Sequence, residues 1–184
     1  MNTPPLRSYV WPAGLDKPTY TGIVLPEQAY AQAMRSLVIV CSDVLPFSRN
    51  PDRLWLARRN IKPMDGWWMI GGRWQLGDDP LRAAQRHFLR DAGSLLPESR
   101  LVPLGINNFY THARQQEPQN VPGHSLAFTF GVEIRETEIE HMKMKLAPPE
   151  YVADSVTALD WNGLQGDDVH PALRDLYSQI FAGK

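Results

Sequence analysis

The residues best suited to chemistry lie in one stretch in the first half of the chain. Gly71-Gly72 follows the apolar segment 67–70, five residues separate Gly72 from Asp78, and seven more separate Asp78 from Arg86. The chain then continues His87-Phe88-Leu89-Arg90-Asp91-Ala92-Gly93. Carboxylates are oxygen ligands that suit a hard cation such as Mg²⁺. The acids of this stretch make it the first candidate for a functional site.

A helix directly after the glycine pair has to position these residues. Asp79 is a favoured N-cap residue and Pro80 a favoured first helical residue, while Gly93 is a natural helix stop. The apolar residues of the segment recur on one face of this helix, namely Leu81, Ala84 and Phe88. The polar residues of the stretch therefore fall on the opposite face.

The rest of the chain alternates helix and strand patterns. Helices are predicted at Glu27–Arg35 and His170–Phe181, and strands at Leu37–Leu45, Arg53–Arg59, Trp67–Ile70, Leu101–Ala113, Ser125–Ile134 and Val156–Trp161. In a strand, alternate residues face opposite sides, so Arg58 points away from Arg59. Strands mixed with helices on one core predict a layered α/β domain.

Composition limits the class of protein. The chain has 184 residues, 43% of them hydrophobic, and a formal net charge of −1, which predicts one globular domain and disfavours nucleic acid as a partner. Its single cysteine, Cys41, excludes an intrachain disulfide. No apolar run is long enough to span a membrane and the first ten residues lack a signal-peptide core, so a cytoplasmic location is expected. The proline-rich residues 1–26 are predicted to form an extended arm, and residues 27–184 the domain.

The stretch resembles the box of the Nudix superfamily, G-x5-E-x7-R-E-U-x-E-E-x-G-U, in which U is a bulky aliphatic residue. The spacing fits without a gap, and Gly72, Arg86 and Gly93 match. Asp78 and Asp91 stand where the family has glutamate, whereas His87, Arg90 and Ser94 depart from the pattern. The resemblance implies a Nudix-like α/β/α sandwich with a mixed sheet, and an ion pair between Arg86 and Asp78.

The degenerate box is most similar to the GDP-mannose mannosyl hydrolase branch. The similarity extends over most of residues 27–184, and includes an initial helix, an arginine ending a strand, a Gly-Gly-Arg sequence, an aromatic-rich strand, and Val169-His170 before the last helix. It implies hydrolysis of a nucleoside diphosphate-linked substrate, most simply a nucleotide sugar, with a single Mg²⁺ ion. It also implies a homodimer.

Residue roles follow from that similarity. Arg58 and Arg73 would stabilise the departing diphosphate, and Asp91 with a backbone carbonyl of Gly71 or Gly72 would hold Mg²⁺. Tyr110 and His112, on the aromatic-rich strand, are candidates for substrate binding. The branch has a loop histidine as base, but residues 146–154 contain none, so Glu150 and Asp154 are the candidates to replace it.

Less specific interpretations remain open for each of these residues. Asp91 could be a helix acid paired with His87, and Arg58 could be solvated at a strand end. Since two box carboxylates are replaced, the alternative function is a non-catalytic Nudix-like protein that binds a nucleotide or a partner.

Overall fold

The computed structural model describes residues 16–20, 22, 25–146 and 150–181. Its helices are α1 (Glu27–Ser36), α2 (Pro80–Ala92), α3 (Glu136–Lys145) and α4 (Pro171–Phe181). Its strands are β1 (Ile39–Arg49), β2 (Asp52–Arg59), β3 (Gly66–Trp68), β4 (Ile70–Arg73), β5 (Val102–Thr111), β6 (Gly123–Glu133) and β7 (Thr157–Leu159). Within the described residues, no helix has the length and apolar character required to cross a bilayer.

The strands form one mixed sheet. Its main order is β3-β2-β1-β6-β5, while β4 pairs with β1 and β7 pairs with β2. The β1–β6 pair is parallel and the other pairs are antiparallel. Because β1 pairs with β2 through residues 47–49 and with β4 through residues 41–44, the sheet divides near its centre.

Helices cover both faces of the sheet and bury two separate apolar clusters. Phe88 of α2 and Met142 of α3 are in one cluster, with Val44 and Ala57 of the sheet. Leu173 and other residues of α4 are in the second, with Leu45, Leu54 and Leu56. This confirms the predicted α/β/α sandwich.

The helix that carries the candidate site forms as predicted. The backbone N–H of Arg82 donates to Asp79 Oδ1 at 3.0 Å, which satisfies one of the free donors at the helix start. Gly93 ends the helix with φ at +71°, a left-handed conformation that glycine adopts without steric penalty.

Other elements differ from the predictions. The segment Trp67–Ile70 forms two strands, β3 and β4, which pair with different neighbours. Helix α3 was not predicted, because Ile139 and Met142 are the only apolar residues of its sequence that become buried. In its first turn, Glu138 Oε2 accepts from the Arg135 N–H at 2.8 Å. The proline pair at 148–149 lies outside the described residues.

Candidate functional site

The glycine pair allows β4 to lie close to two polar side chains on opposite faces of the sheet. On the α2 face, a Cβ atom on Gly72 would lie 2.6 Å from His87 Cε1. On the other face, a Cβ atom on Gly71 would overlap Asp43 Oδ1. Glycine is therefore required at both positions by close packing against these side chains.

His87 occupies the space above Gly72 as a neutral imidazole. Its side chain is 3% exposed, and burial lowers its pKa to about 4. Since a carbonyl oxygen only accepts, His87 Nε2–H donates to the Arg73 carbonyl oxygen, 2.9 Å away. Nδ1 has no hydrogen-bond partner among the described residues. A neutral ring thus stands where the box has a carboxylate.

Arg86 connects helix α2 to the turn that precedes it. Its Nη2 lies 2.5 Å from Asp78 Oδ2 and 3.0 Å from the Arg73 carbonyl oxygen. Asp78 Oδ2 also accepts from the backbone N–H of Gln75 at 2.7 Å. The predicted Arg86–Asp78 ion pair is confirmed, and its role is to fix the turn between β4 and α2.

Asp91 is buried and both of its oxygens are occupied by protein groups. Arg90 Nε lies 2.5 Å from Oδ1 and Arg90 Nη2 lies 2.6 Å from Oδ2. The Tyr151 hydroxyl donates to Oδ2 at 3.3 Å. Asp91 is 7% exposed, so a charged, two-point pair with a guanidinium offsets much of the cost of burying it.

Glu150 extends this pair to a second arginine. Its Oε1 lies 2.9 Å from Arg59 Nη2 and its Oε2 lies 3.8 Å from Arg90 Nη2. The backbone holds it there, because Asn60 N–H donates to the Glu150 carbonyl oxygen at 2.9 Å. We call this group the arginine–acid cluster; it comprises Arg59, Arg90, Asp91, Glu150 and Tyr151.

These residues do not fit the single Mg²⁺ ion that the resemblance implies. No group of three or more His, Cys, Asp or Glu side chains in the described residues has the arrangement to hold a metal ion. At an effective dielectric of 20, a dication about 4 Å from Arg90 is repelled by about 8 kcal/mol, which offsets its attraction to Asp91 at the same distance. The cluster already contains two cations and two acids, and leaves no net attraction for a third cation.

The other predicted site residues lie in separate surroundings. Arg58 is on the α4 face of β2, where its Nη1 lies 2.8 Å from Asp168 Oδ2. Asp168 lines a cavity of about 240 Å³ between residues 64–67 and 167–171. The Arg73 guanidinium lies 4.3 Å from the centre of the Tyr30 ring. None of these contacts joins Arg58 or Arg73 to Asp91.

The predicted substrate-binding residues of the aromatic-rich strand are exposed. Tyr110 is 70% exposed and its ring stacks on His124 with centroids 4.5 Å apart. His112 follows the end of β5 and is also exposed. On the opposite face of the same strand, Phe109 contacts the His170 ring at 5.6 Å.

Two charged residues near the site were not predicted as candidates. Arg59 lies on the α2 face of β2 and contacts Glu150, and its Nε is buried without a hydrogen-bond partner among the described residues. Asp43 lies in the middle of β1, where burial raises its pKa to about 7 although Arg59 acts in the opposite direction. In the sequence, the only indication that Asp43 is unusual is that it is an acid inside an apolar run.

The strand–turn–helix arrangement and the sandwich are features by which this chain can be compared with known protein families. The NUDIX domain family matches residues 41–166, so the chain belongs to that family. A search of curated protein sequences gives no significant match.

Solved structures show the same fold at low sequence identity. A MutT NUDIX hydrolase from Burkholderia pseudomallei is 16% identical with a TM-score of 0.58, over 79% of this chain and 99% of that one. The E. coli dihydroneopterin triphosphate pyrophosphohydrolase is 14% identical with a TM-score of 0.54, over 81% of this chain and 100% of that one. These likenesses support a Nudix-type hydrolase fold, and Nudix hydrolases generally use divalent ions such as Mg²⁺.

Proposed function

We propose that this protein is a Nudix-type hydrolase of a nucleoside diphosphate-linked small molecule, with nucleotide sugars as the first substrate class to test. The observation that carries the proposal is the pair of guanidinium groups, Arg59 and Arg90, on one acid, Glu150. Guanidinium groups bind phosphate oxygens through paired, charge-assisted hydrogen bonds.

The family supports the reaction class, and the local sequence supports the substrate class. The chain belongs to the NUDIX domain family, and the Gly-Gly-Arg sequence and degenerate box resemble the GDP-mannose branch. Because the acids present do not fit Mg²⁺, no step is assigned to a metal ion. The arginines bind and orient the diphosphate, and Tyr151 and Arg90 hold Asp91 in place.

A second candidate is a Nudix-fold protein that binds the same ligand without hydrolysing it. The observation that favours this candidate is the two-point contact between Arg90 and Asp91, which engages the one box acid left in the last turn of α2. Both candidates use the same ligand class and differ only in turnover.

Product analysis of a nucleotide-sugar panel distinguishes the two candidates. GDP-mannose, UDP-glucose and ADP-ribose are incubated with the protein, with EDTA or with Mg²⁺, and the products are separated by anion-exchange chromatography. Release of nucleotide or sugar above a no-protein blank supports the hydrolase. A ligand that binds but yields no product supports the second candidate, and absence of both binding and product contradicts the proposed substrate class.

Arg59→Gln is the matched test of the site. Loss of a hydrogen bond to a charged group costs about 1.5–3 kcal/mol, so kcat/KM should fall by about tenfold or more. Arg53→Gln is the control, because Arg53 lies on the same strand but pairs with Asp160 at 3.5 Å. Equal losses in both variants would contradict a specific role for Arg59.

A further inference from the structure

The arginine–acid cluster lies where the box resemblance places a metal centre, yet its cation is a protein side chain. Arg90 contacts both oxygens of Asp91 at 2.5 and 2.6 Å, and it lies 3.8 Å from Glu150. Asp91 and Glu150 therefore share the Arg90 guanidinium, and Glu150 also pairs with Arg59 at 2.9 Å. The pKa of Arg90 is raised, mainly by its hydrogen bond to Asp91, so the guanidinium stays charged over the whole working pH range.

We propose that the Arg90 guanidinium takes the place of the divalent cation in this Nudix domain, so that the cluster binds a diphosphate without metal. The metal-replacement half depends only on the geometry of the cluster. The ligand half rests on the proposed function.

Arg90 has enough N–H donors to hold Asp91 and to bind an anion at the same time. A guanidinium has five N–H donors in a planar fork. Asp91 accepts from Nε and Nη2, and the Nη1 donors have no acceptor among the described residues. The Arg90 side chain is 49% exposed, so these donors are accessible to an anion from solvent.

The surroundings of Arg90 fix its direction. The backbone of Tyr151 forms an isolated antiparallel β-bridge with Arg59, and the Val152 N–H donates to the Arg58 carbonyl oxygen at 2.9 Å. The segment that carries Glu150 and Tyr151 is therefore held against the end of β2. Both acids of the cluster are anchored, one to α2 and one to this segment, and Arg90 bridges them as a bound cation would.

Direct metal titration tests the first half of the proposal without any ligand. Mn²⁺ uptake is followed by electron paramagnetic resonance for the wild type, Arg90→Gln and the control Arg82→Gln, which removes an exposed arginine from the same helix. The wild type and Arg82→Gln should bind no Mn²⁺ below millimolar concentration. Arg90→Gln leaves Asp91 without a cationic partner and removes one of the two arginines beside Glu150, so its Mn²⁺ affinity should be at least about tenfold higher.

Two outcomes would overturn this half. One is sub-millimolar Mn²⁺ binding by the wild type. The other is a folded Arg90→Gln variant that still excludes Mn²⁺, because the guanidinium would then not be the group that keeps the metal out. Should Arg90→Gln fail to fold, Arg90→Lys keeps the charge and should exclude Mn²⁺ as the wild type does; Mn²⁺ uptake by that variant would contradict the proposal.

Calorimetry with ADP tests the ligand half. The affinity of the wild type for ADP should be the same within about twofold in EDTA and in Mg²⁺, and Arg90→Gln should weaken it in EDTA. Binding that needs Mg²⁺ would overturn the proposal while leaving the proposed function intact. No ADP binding under either condition would overturn the ligand half, while the nucleotide-sugar panel would still decide the proposed function and the Mn²⁺ titration the role of Arg90.

Discussion

Two buried titratable residues with opposite pKa shifts lie on either face of β4. Asp43 has a pKa of about 7, raised by burial, against about 3.9 in an unfolded chain. His87 has a pKa of about 4, lowered by burial, against about 6.5 unfolded. Between pH 4 and 7 the folded state therefore binds the Asp43 proton more tightly and the His87 proton less tightly than the unfolded state does.

These shifts predict opposite pH slopes of the free energy of unfolding. Asp43 contributes a fall of about 4 kcal/mol as the pH rises from 4 to 7, and His87 a rise of about 3 kcal/mol from pH 4 to 6.5. Urea unfolding of the wild type should thus show a shallow dependence in this range. Asp43→Asn removes the falling contribution, so its stability should rise steeply with pH; a shallow profile in that variant would contradict the Asp43 assignment.

The close contact of Gly72 with His87 gives a second prediction at the residue scale. Gly72→Ala places a methyl group 2.6 Å from His87 Cε1, and such overpacking costs about 1–3 kcal/mol. Adding His87→Ala should recover part of that loss by removing the ring. A double-mutant cycle measured by urea unfolding checks this, and additive losses would show that the two residues do not contact each other.

Arg58 and Arg59 show what sequence could predict at this scale. Strand alternation correctly placed them on opposite faces, but it does not say which face α2 covers. That depends on how α2 packs on the sheet, a long-range arrangement that local periodicity does not contain. The arginine that contacts Glu150 is Arg59, while Arg58, which the resemblance assigns to the diphosphate, pairs with Asp168 on the other face.

At the scale of elements, the start of α2 is stabilised by its N-cap. Asp79→Ala removes the acceptor of the Arg82 N–H and should cost about 1 kcal/mol. Asp79→Asn keeps an acceptor and should cost less, although it loses the weak ion pairs with Lys17 and Arg82. Thermal unfolding of both variants compares them; equal losses would assign the stability to the ion pairs instead.

Elements with strong local patterns were predictable, and those fixed by tertiary contacts were not. Helix α2 has a cap, a proline start, an apolar face and a glycine stop, and it forms within the predicted bounds. Helix α3 offers a weak apolar stripe, and part of its attachment comes from the partly buried Arg100–Glu138 pair, with atoms 2.5 Å apart. Acids in its first turn and lysines in its last were the available local indication.

At the scale of the whole molecule, a homodimer remains the expectation. The branch that the sequence resembles implies it. Residues 1–26, which are predicted to form an extended arm and lie largely outside the described residues, are rich in apolar and aromatic side chains. Light scattering coupled to gel filtration should give about twice the chain mass of 20.9 kDa. A mass equal to one chain at micromolar concentration would contradict this prediction.

Ligand-induced stabilisation tests the central claim, that this Nudix domain binds a nucleoside diphosphate-linked molecule, most directly. The melting temperature is measured with GDP-mannose, UDP-glucose and ADP-ribose, using the free sugars and nucleosides as controls, for the wild type and Arg59→Gln. A ligand at 100 times its Kd adds about 2.7 kcal/mol of stability. We predict a rise in melting temperature for at least one nucleotide sugar, reduced in Arg59→Gln and absent with the controls. Unchanged melting temperatures for every nucleotide sugar, with and without Mg²⁺, would contradict the account.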